Sequence, residues 1–172
     1  MHPVNDWGSP EQFLGGTACD RRYNTWKKQL PRATTLVSQT DRPQILLVED
    51  NQIERRVISM LGEKLGLSVT AVDTAKTALE LLTDNHRFSL ILMDWQLPDM
   101  TGLECTAAIR EREARTSRHV PIVAVTANAL LGDKQRCLES GMDDYLSKPF
   151  TMVQFEATVM RVLASHGETV PA

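Results

Sequence analysis

From residue 43 onward, short apolar runs alternate with amphipathic stretches, and the alternation repeats five times. Residues 45–48 are wholly apolar, as expected of a strand buried on both faces. Asn51 then offers a helix cap, and Ile53, Val57, Met60, Leu61 and Leu65 recur at helical spacing up to Gly66, forming the predicted apolar face of a first helix. Residues 67–72, 89–93, 120–125 and 145–147 read as four further strands. Between them the pattern predicts a helix capped by Asp73 or Thr74, with Ala75, Ala78, Leu79 and Leu82 on one face. Two more helices follow, over about 102–115 and over 128–139, the second closed by Gly141. A last helix places Met152, Phe155, Val159, Val162 and Leu163 together. Strict β-α alternation predicts an α/β fold with a parallel sheet covered on both faces. Ligands of such sheets bind beyond the carboxyl ends of the strands, where the strand order switches.

Residues 1–42 lack any sustained period. Trp7, Phe13, Tyr23 and Trp26 lie scattered among Gly, Pro, Thr and charged residues, which predicts a largely disordered N-terminal extension with a short helix near residues 21–30. The repeating pattern ends near residue 165, leaving 166–172 as a tail and too little chain for a separate DNA-binding or catalytic output domain.

Composition narrows the function classes. The chain has 172 residues, 42% hydrophobic and 24% charged, enough for one domain with a real core and no need of staples. Its 22 acidic and 19 basic residues give a net charge of −3, distributed as +2 over residues 1–42 and −5 over the rest. An acidic body of this kind argues against nucleic acid as a partner. No apolar run approaches the roughly 18 residues of a membrane helix, so no membrane insertion is expected. Cys19, Cys105 and Cys137 are odd in number and widely spaced, which reads as reduced thiols in a cytoplasmic protein. His2, His86, His119 and His166 are isolated, and none has the helical context of a phosphodonor. Arg110, Arg112, Arg115 and Arg118, interleaved with Glu111 and Glu113, read as a solvated helix end.

The strand ends are where the chemistry gathers. The first predicted strand ends in Glu49-Asp50, the third in Asp94, the fourth in Thr126 and the fifth in Lys148. Singly these are turn formers, caps or surface residues; four of them at one sheet edge point to a site. Two unit charges about 4 Å apart repel by roughly 4 kcal/mol at an effective dielectric near 20. Three acids at one edge therefore call for a hard divalent cation on oxygen ligands, with Lys148 nearby. Such a set suits attack of a carboxylate on phosphorus, giving an acyl phosphate.

Four stretches carry a family resemblance: Ile45-Leu46-Leu47-Val48-Glu49-Asp50-Asn51, Met93-Asp94-Trp95-Gln96-Leu97-Pro98-Asp99-Met100-Thr101-Gly102, Val125-Thr126-Ala127-Asn128-Ala129 and Tyr145-Leu146-Ser147-Lys148-Pro149-Phe150. Over residues 43–165 the chain resembles the response-regulator receiver domain of two-component signalling, in the texture found in hybrid histidine kinases. The resemblance implies a flavodoxin-like sheet of five strands in the order 2-1-3-4-5 with five helices, an order for which receiver proteins are a stock illustration. It implies Asp94 as phosphoacceptor, with Mg²⁺ held by Asp50, Asp94 and the main-chain carbonyl of Gln96, and by Glu49 directly or through water. Lys148 and Thr126 would contact the phosphoryl oxygens, and Thr126 and Tyr145 would form a switch acting on the surface of the fourth helix, fifth strand and fifth helix. Pro149 resembles the family's cis proline. Gln96 and Asn128, two positions beyond Asp94 and Thr126, occupy places that tune dephosphorylation in the family, and Trp95 could report metal binding by fluorescence.

The implied partners are a sensor histidine kinase or histidine phosphotransfer protein, a downstream protein target, and a second copy of the chain if phosphorylation drives dimerisation. Both a stand-alone receiver and the terminal piece of a larger kinase fit, and Met1 with its unpatterned start points to the first. No separate substrate turnover is expected. One alternative is an aspartyl-phosphate phosphatase, although Gln96 stands where such enzymes need a second Asp; another is a phosphate-independent interaction module.

Overall fold

The computed structural model describes residues 42–82, 88–116, 118–127 and 133–167. The expected N-terminal extension with its short helix, Cys19, His2, His86, Asn128 and the tail beyond Gly167 lie outside the described residues.

Ten elements alternate along the chain. They are β1 (Gln44–Val48), α1 (Gln52–Lys64), β2 (Ser68–Val72), α2 (Ala75–Leu81), β3 (Leu90–Asp94), α3 (Gly102–Glu113), β4 (Ile122–Thr126), α4 (Asp133–Glu139), β5 (Asp144–Ser147) and α5 (Met152–Ser165). All strand pairs are parallel, in the order β2-β1-β3-β4-β5. The order reverses between β1 and β3, so the crevice beyond their carboxyl ends is the natural ligand site.

Period-two alternation splits the sheet into two buried faces. Leu46, Val48, Ile91, Met93, Ile122 and Ala124 pack with Ala75, Ala78, Cys105, Ile109 and Cys137 of α2, α3 and α4. Ile45, Leu47, Leu90, Leu92, Val123 and Val125 are buried on the alternate positions, and Ile58 of α1 and Phe155, Val159 and Leu163 of α5 are buried as well. Cys105 and Cys137 are buried free thiols, and burial pushes the Cys105 thiol up to about 11, so it stays protonated and inert.

Three expectations need correction. The buried side of α1 is not Ile53, Val57 and Met60, which are 76%, 49% and 49% exposed; it is Ile58 and Gly62, flanked by half-buried Leu61 and Leu65. Gly62 sets the rotation of the helix, because a Cβ there would lie 2.7 Å from Val69 Cγ2 of β2. The apolar period alone cannot see a packing position occupied by glycine.

β4 starts at Ile122 rather than 120: Pro121 has no N–H to give the ladder, and the Val120 N–H is donated to Glu113 Oε1 at 2.7 Å. The arginine run is a solvated helix end except at Arg110, which is shielded. Arg110 donates Nε to the Gly141 carbonyl (2.8 Å), Nη1 to the Val120 carbonyl (2.9 Å) and Nη2 to Asp143 Oδ2 (2.8 Å), and also pairs with Glu113. Arg112 donates to the Leu79 carbonyl at 2.6 Å, at the carboxyl end of α2. Arg115, paired at 3.6 Å with Glu111, and Arg118 are exposed, as the pattern predicts. The amino-end loops fold back over the last turn of α3, and Arg110 is the donor that satisfies their carbonyls.

Candidate functional site

The carboxyl edge of the sheet brings together what the strand ends promised. Asp94 and Thr126 are the last residues of β3 and β4, while Glu49 and Lys148 directly follow the loop-ward ends of β1 and β5. Glu49 is 1% exposed, Thr126 3% and Asp94 9%, so the polar set is buried; Asp50 lies exposed at its rim. One carboxylate oxygen from each of Glu49, Asp50 and Asp94 falls within 4.8 Å of the others. Lys148 Nζ lies 2.6 Å from Glu49 Oε2 and 3.5 Å from Asp94 Oδ2. The Lys148–Pro149 bond is cis, as the resemblance implied.

Backbone contacts hold these groups in place. The Glu49 N–H continues the ladder to the Val72 carbonyl (3.0 Å), and the Lys148 N–H donates to the Thr126 carbonyl (2.7 Å). Asn51 caps α1 by accepting from Ile53 and Glu54, so the chain turns sharply after Asp50. Thr151 and Gln154 form a capping box that starts α5 just after Pro149. In the loop after Asp94, the Gly102 N–H donates to the Trp95 carbonyl at 2.8 Å, and a Cβ at Gly102 would lie 2.1 Å from the Asp94 carbonyl oxygen. That close approach is why the stretch starting at Asp94 needs glycine at position 102.

The electrostatics are those of an under-neutralised pocket. Burial, with the neighbouring Asp94 charge, holds the Glu49 carboxyl above the usual glutamate range, against the pull of Lys148. Burial likewise raises Asp94, although Lys148 and the N–H groups of Trp95 and Gln96 favour its ionised form. Burial works against the charge on Lys148, but hydrogen bonds to Glu49 and Glu54 and the charge of Asp94 outweigh it, and its ammonium is held above the ordinary lysine value.

Three residues were missed. Glu54 pairs with Lys148 Nζ at 2.5 Å; its place three residues after Asn51 reads only as a capping position. Arg55 Nη1 donates to the Glu49 and Asp50 carbonyls at 2.7 and 3.1 Å, a role with no sequence signal. Asp99 accepts the N–H groups of Ala75 and Lys76 at 3.1 and 2.8 Å, tying the loop after Asp94 to the start of α2, where Thr74 is the cap. Trp95 lies half-buried under the guanidinium of Arg136, 5.3 Å from its ring centroid. Tyr145 is half-buried against the core; it pairs with Ala124 while Ser147 pairs with Thr126, so Tyr145 and Thr126 occupy diagonal positions on one sheet face. No helix among the described residues is long and apolar enough to cross a membrane.

Known proteins share this fold. The model of the response regulator receiver domain matches residues 45–160. A hybrid signal transduction histidine kinase of Dictyostelium discoideum is 44% identical over 116 residues, 65% of this chain and 7% of that protein. The sensor histidine kinase GacS of Pseudomonas protegens is 41% identical over 120 residues, 69% of this chain and 13% of its own length. The chain thus spans only a small fraction of the kinases it matches. Among solved structures, the receiver domain of a Pseudomonas aeruginosa sensor histidine kinase is 41% identical, with a TM-score of 0.64 over 72% of this chain and 98% of that one. That structure carries a magnesium ion coordinated in its active-site cleft. The chemotaxis response regulator CheY4 of Vibrio cholerae is 27% identical, with a TM-score of 0.63 over 70% of this chain and 98% of that one. With strand order, strand-end chemistry and family match all agreeing, this chain belongs to the response regulator receiver domains of two-component phosphorelay signalling and is similar to those of hybrid histidine kinases.

Proposed function

We propose that residues 43–165 form a receiver unit that accepts a phosphoryl group on Asp94 from a phosphohistidine of a sensor kinase or phosphotransfer protein. The observation that carries this reading is the meeting of three carboxylates within 4.8 Å beside one ammonium, with Asp94 the acid that Lys148 reaches at 3.5 Å. A carboxylate oxygen of Asp94 attacks phosphorus as the N–P bond breaks, and the electron pair of that bond leaves on the donor imidazole. The Lys148 ammonium and the Thr126 hydroxyl face the charge that spreads over the remaining phosphoryl oxygens.

An all-oxygen donor set with an excess of negative charge fits Mg²⁺, which Asp50, Asp94 and the Gln96 carbonyl would hold, with Glu49 acting directly or through water. When bound, the ion neutralises charge on the acids and on the incoming phosphoryl oxygens. Glu49 also holds Lys148 at 2.6 Å, which positions the ammonium from the buried side. The module turns over no separate substrate, works in the cytoplasm, and signals by a switch. Thr126 moves toward the phosphoryl group and Tyr145, on the same sheet face, follows inward, so the surface of α4, β5 and α5 changes for a downstream partner.

Incubation with Mg²⁺ and acetyl phosphate, or with beryllofluoride, tests the reading. Stoichiometric modification of the native chain and its loss in Asp94→Asn are expected; sustained release of phosphate from many phosphoesters would indicate an enzyme instead. Phosphorylation-dependent partner binding that survives intact in Tyr145→Ala would remove the aromatic half of the switch.

A further inference from the structure

At the opposite, amino-terminal edge of the sheet, three side chains from three separate segments converge. His119 precedes β4, Asp143 precedes β5 and His166 follows α5. One ligand atom from each lies within 4.8 Å of the others. We propose that His119, Asp143 and His166 form a binding site for a divalent transition-metal ion of the zinc class, separate from the carboxyl-edge pocket and independent of the phosphoacceptor reading.

The hydrogen bonds around the cluster have already sorted its atoms into ligands and supports. Asp143 Oδ2 is occupied by Arg110 Nη2 at 2.8 Å and by the Ile122 N–H at 2.7 Å. The other oxygen, Oδ1, is thereby turned toward the histidines, 2.7 Å from His119 Nε2 and 3.8 Å from His166 Nε2. His166 Nδ1 lies 3.0 Å from the Val162 carbonyl, which can only accept, so Nδ1 carries the proton. With Nδ1 turned to that carbonyl, Nε2 is the ring nitrogen that faces Asp143 Oδ1, 3.8 Å away. An ion between the two atoms would be held by both. A ligating histidine whose other nitrogen donates to a carbonyl is also the usual support of a metal site. His119 Nε2 lies 2.7 Å from Asp143 Oδ1, hydrogen-bond distance to a carboxylate, so an ion entering the cluster displaces a proton there, and Nδ1, 3.7 Å from Glu113 Oε2, carries one in the ligated form.

Distances and charge fit the same ion. Ligands 2.0–2.1 Å from a tetrahedral centre lie roughly 3.3 Å apart, between the 2.7 and 3.8 Å seen here. His119 is 49% exposed, which leaves it room for the half-ångström adjustment. Arg110 with Glu113 and Asp143 leaves one net negative charge at the site. Two imidazoles and one carboxylate, with a fourth position open to water, suit Zn²⁺ and not Mg²⁺, which prefers oxygen. The bound ion would clamp the carboxyl end of α5 to the starts of β4 and β5.

Calorimetric titration of the full chain with ZnCl₂ tests the proposal. Besides any uptake by the carboxyl-edge carboxylates, which Asp94→Asn would weaken, one site is expected that loses at least about tenfold in affinity in His119→Gln and in His166→Gln. It should persist in Asp94→Asn, and in a variant that replaces His2, His86 and Cys19 together. Cobalt(II) loaded in place of zinc should give the visible bands of a four-coordinate N₂O site, lost in His166→Gln. The proposal is overturned by absence of uptake, by uptake indifferent to both histidine changes, or by uptake that vanishes with Asp94→Asn or with the replacement of His2, His86 and Cys19.

Discussion

The two edges of the sheet use the same residue types to opposite ends. At the carboxyl edge Glu49, Asp50, Glu54 and Asp94 surround the single ammonium of Lys148, and burial raises the carboxyls of Glu49 and Asp94. At the amino edge Glu113 and Asp143 face Arg110 and His119, and the lone pairs of the carboxylates are taken up by guanidinium and backbone donors. One edge crowds carboxylates around a single ammonium; the other uses most of its charge in holding three loops together and keeps one net negative charge beside the histidines. Stability should therefore fall when the amino edge loses a partner and rise when the carboxyl edge loses an acid.

The largest effect is expected from Arg110→Ala. It leaves Asp143 and Glu113 without their cation and the Gly141 and Val120 carbonyls without a donor. Breaking a shielded pair of this kind costs about 3 kcal/mol, read as a lowered urea midpoint, and Arg110→Lys should restore little because an ammonium cannot reach all four acceptors in one plane. Next comes Gly102→Ala, whose Cβ would lie 2.1 Å from the Asp94 carbonyl oxygen. Displacing that backbone costs about 2 kcal/mol and should slow modification by acetyl phosphate at least about tenfold, since the nucleophile moves with its own main chain. Asp94→Asn should act in the opposite direction. Removing one buried carboxylate from the cluster is expected to stabilise the chain by about 1 kcal/mol in EDTA, while abolishing phosphorylation. Equal urea midpoints for Asp94→Asn and the native chain in EDTA would mean that the carboxyl edge is not electrostatically strained.

The contrast was only half legible in the sequence. Strand order and the residues at the carboxyl edge follow from local patterns: apolar runs give β1, β3 and β4, and each ends in a polar residue that the parallel topology must place at one edge. The amino edge gave no such signal. Arg110 and Asp143 are 33 residues apart, and nothing local distinguishes Arg110, which is shielded, from Arg115, which is solvated. His119 and His166 looked isolated because their meeting depends on how α5 ends relative to β4. The rotation of α1 was misread for a related reason, since its contact face is decided by the missing side chain of Gly62 against Val69. Period and capping report what a segment does alone; close approach and long-range ion pairs are properties of the assembled sheet.

Asp99 bridges the two kinds of behaviour and gives the smallest and most specific test. It lies in the loop that follows Asp94, yet its carboxylate serves structure, accepting the N–H groups of Ala75 and Lys76 at the start of α2. A slight burial opposes its charge, but the N–H groups of Lys76 and Ala75, together with those of Asp99 and Met100, outweigh it and hold the carboxyl below the ordinary aspartate value of about 3.9. Because the native pKa is depressed, the stabilisation is fully present above the ordinary value and is lost as pH falls through the lower native one. Asp99→Ala should therefore cost about 0.5 kcal/mol at neutral pH, with Thr74 still capping the helix, and the gap to the native chain should close on acidification. Urea titrations at neutral pH and stepwise down to the acid limit of folding measure that gap. A gap that stays constant across the whole range would mean that Asp99 acts through packing of the loop and not through its charge on the helix amides.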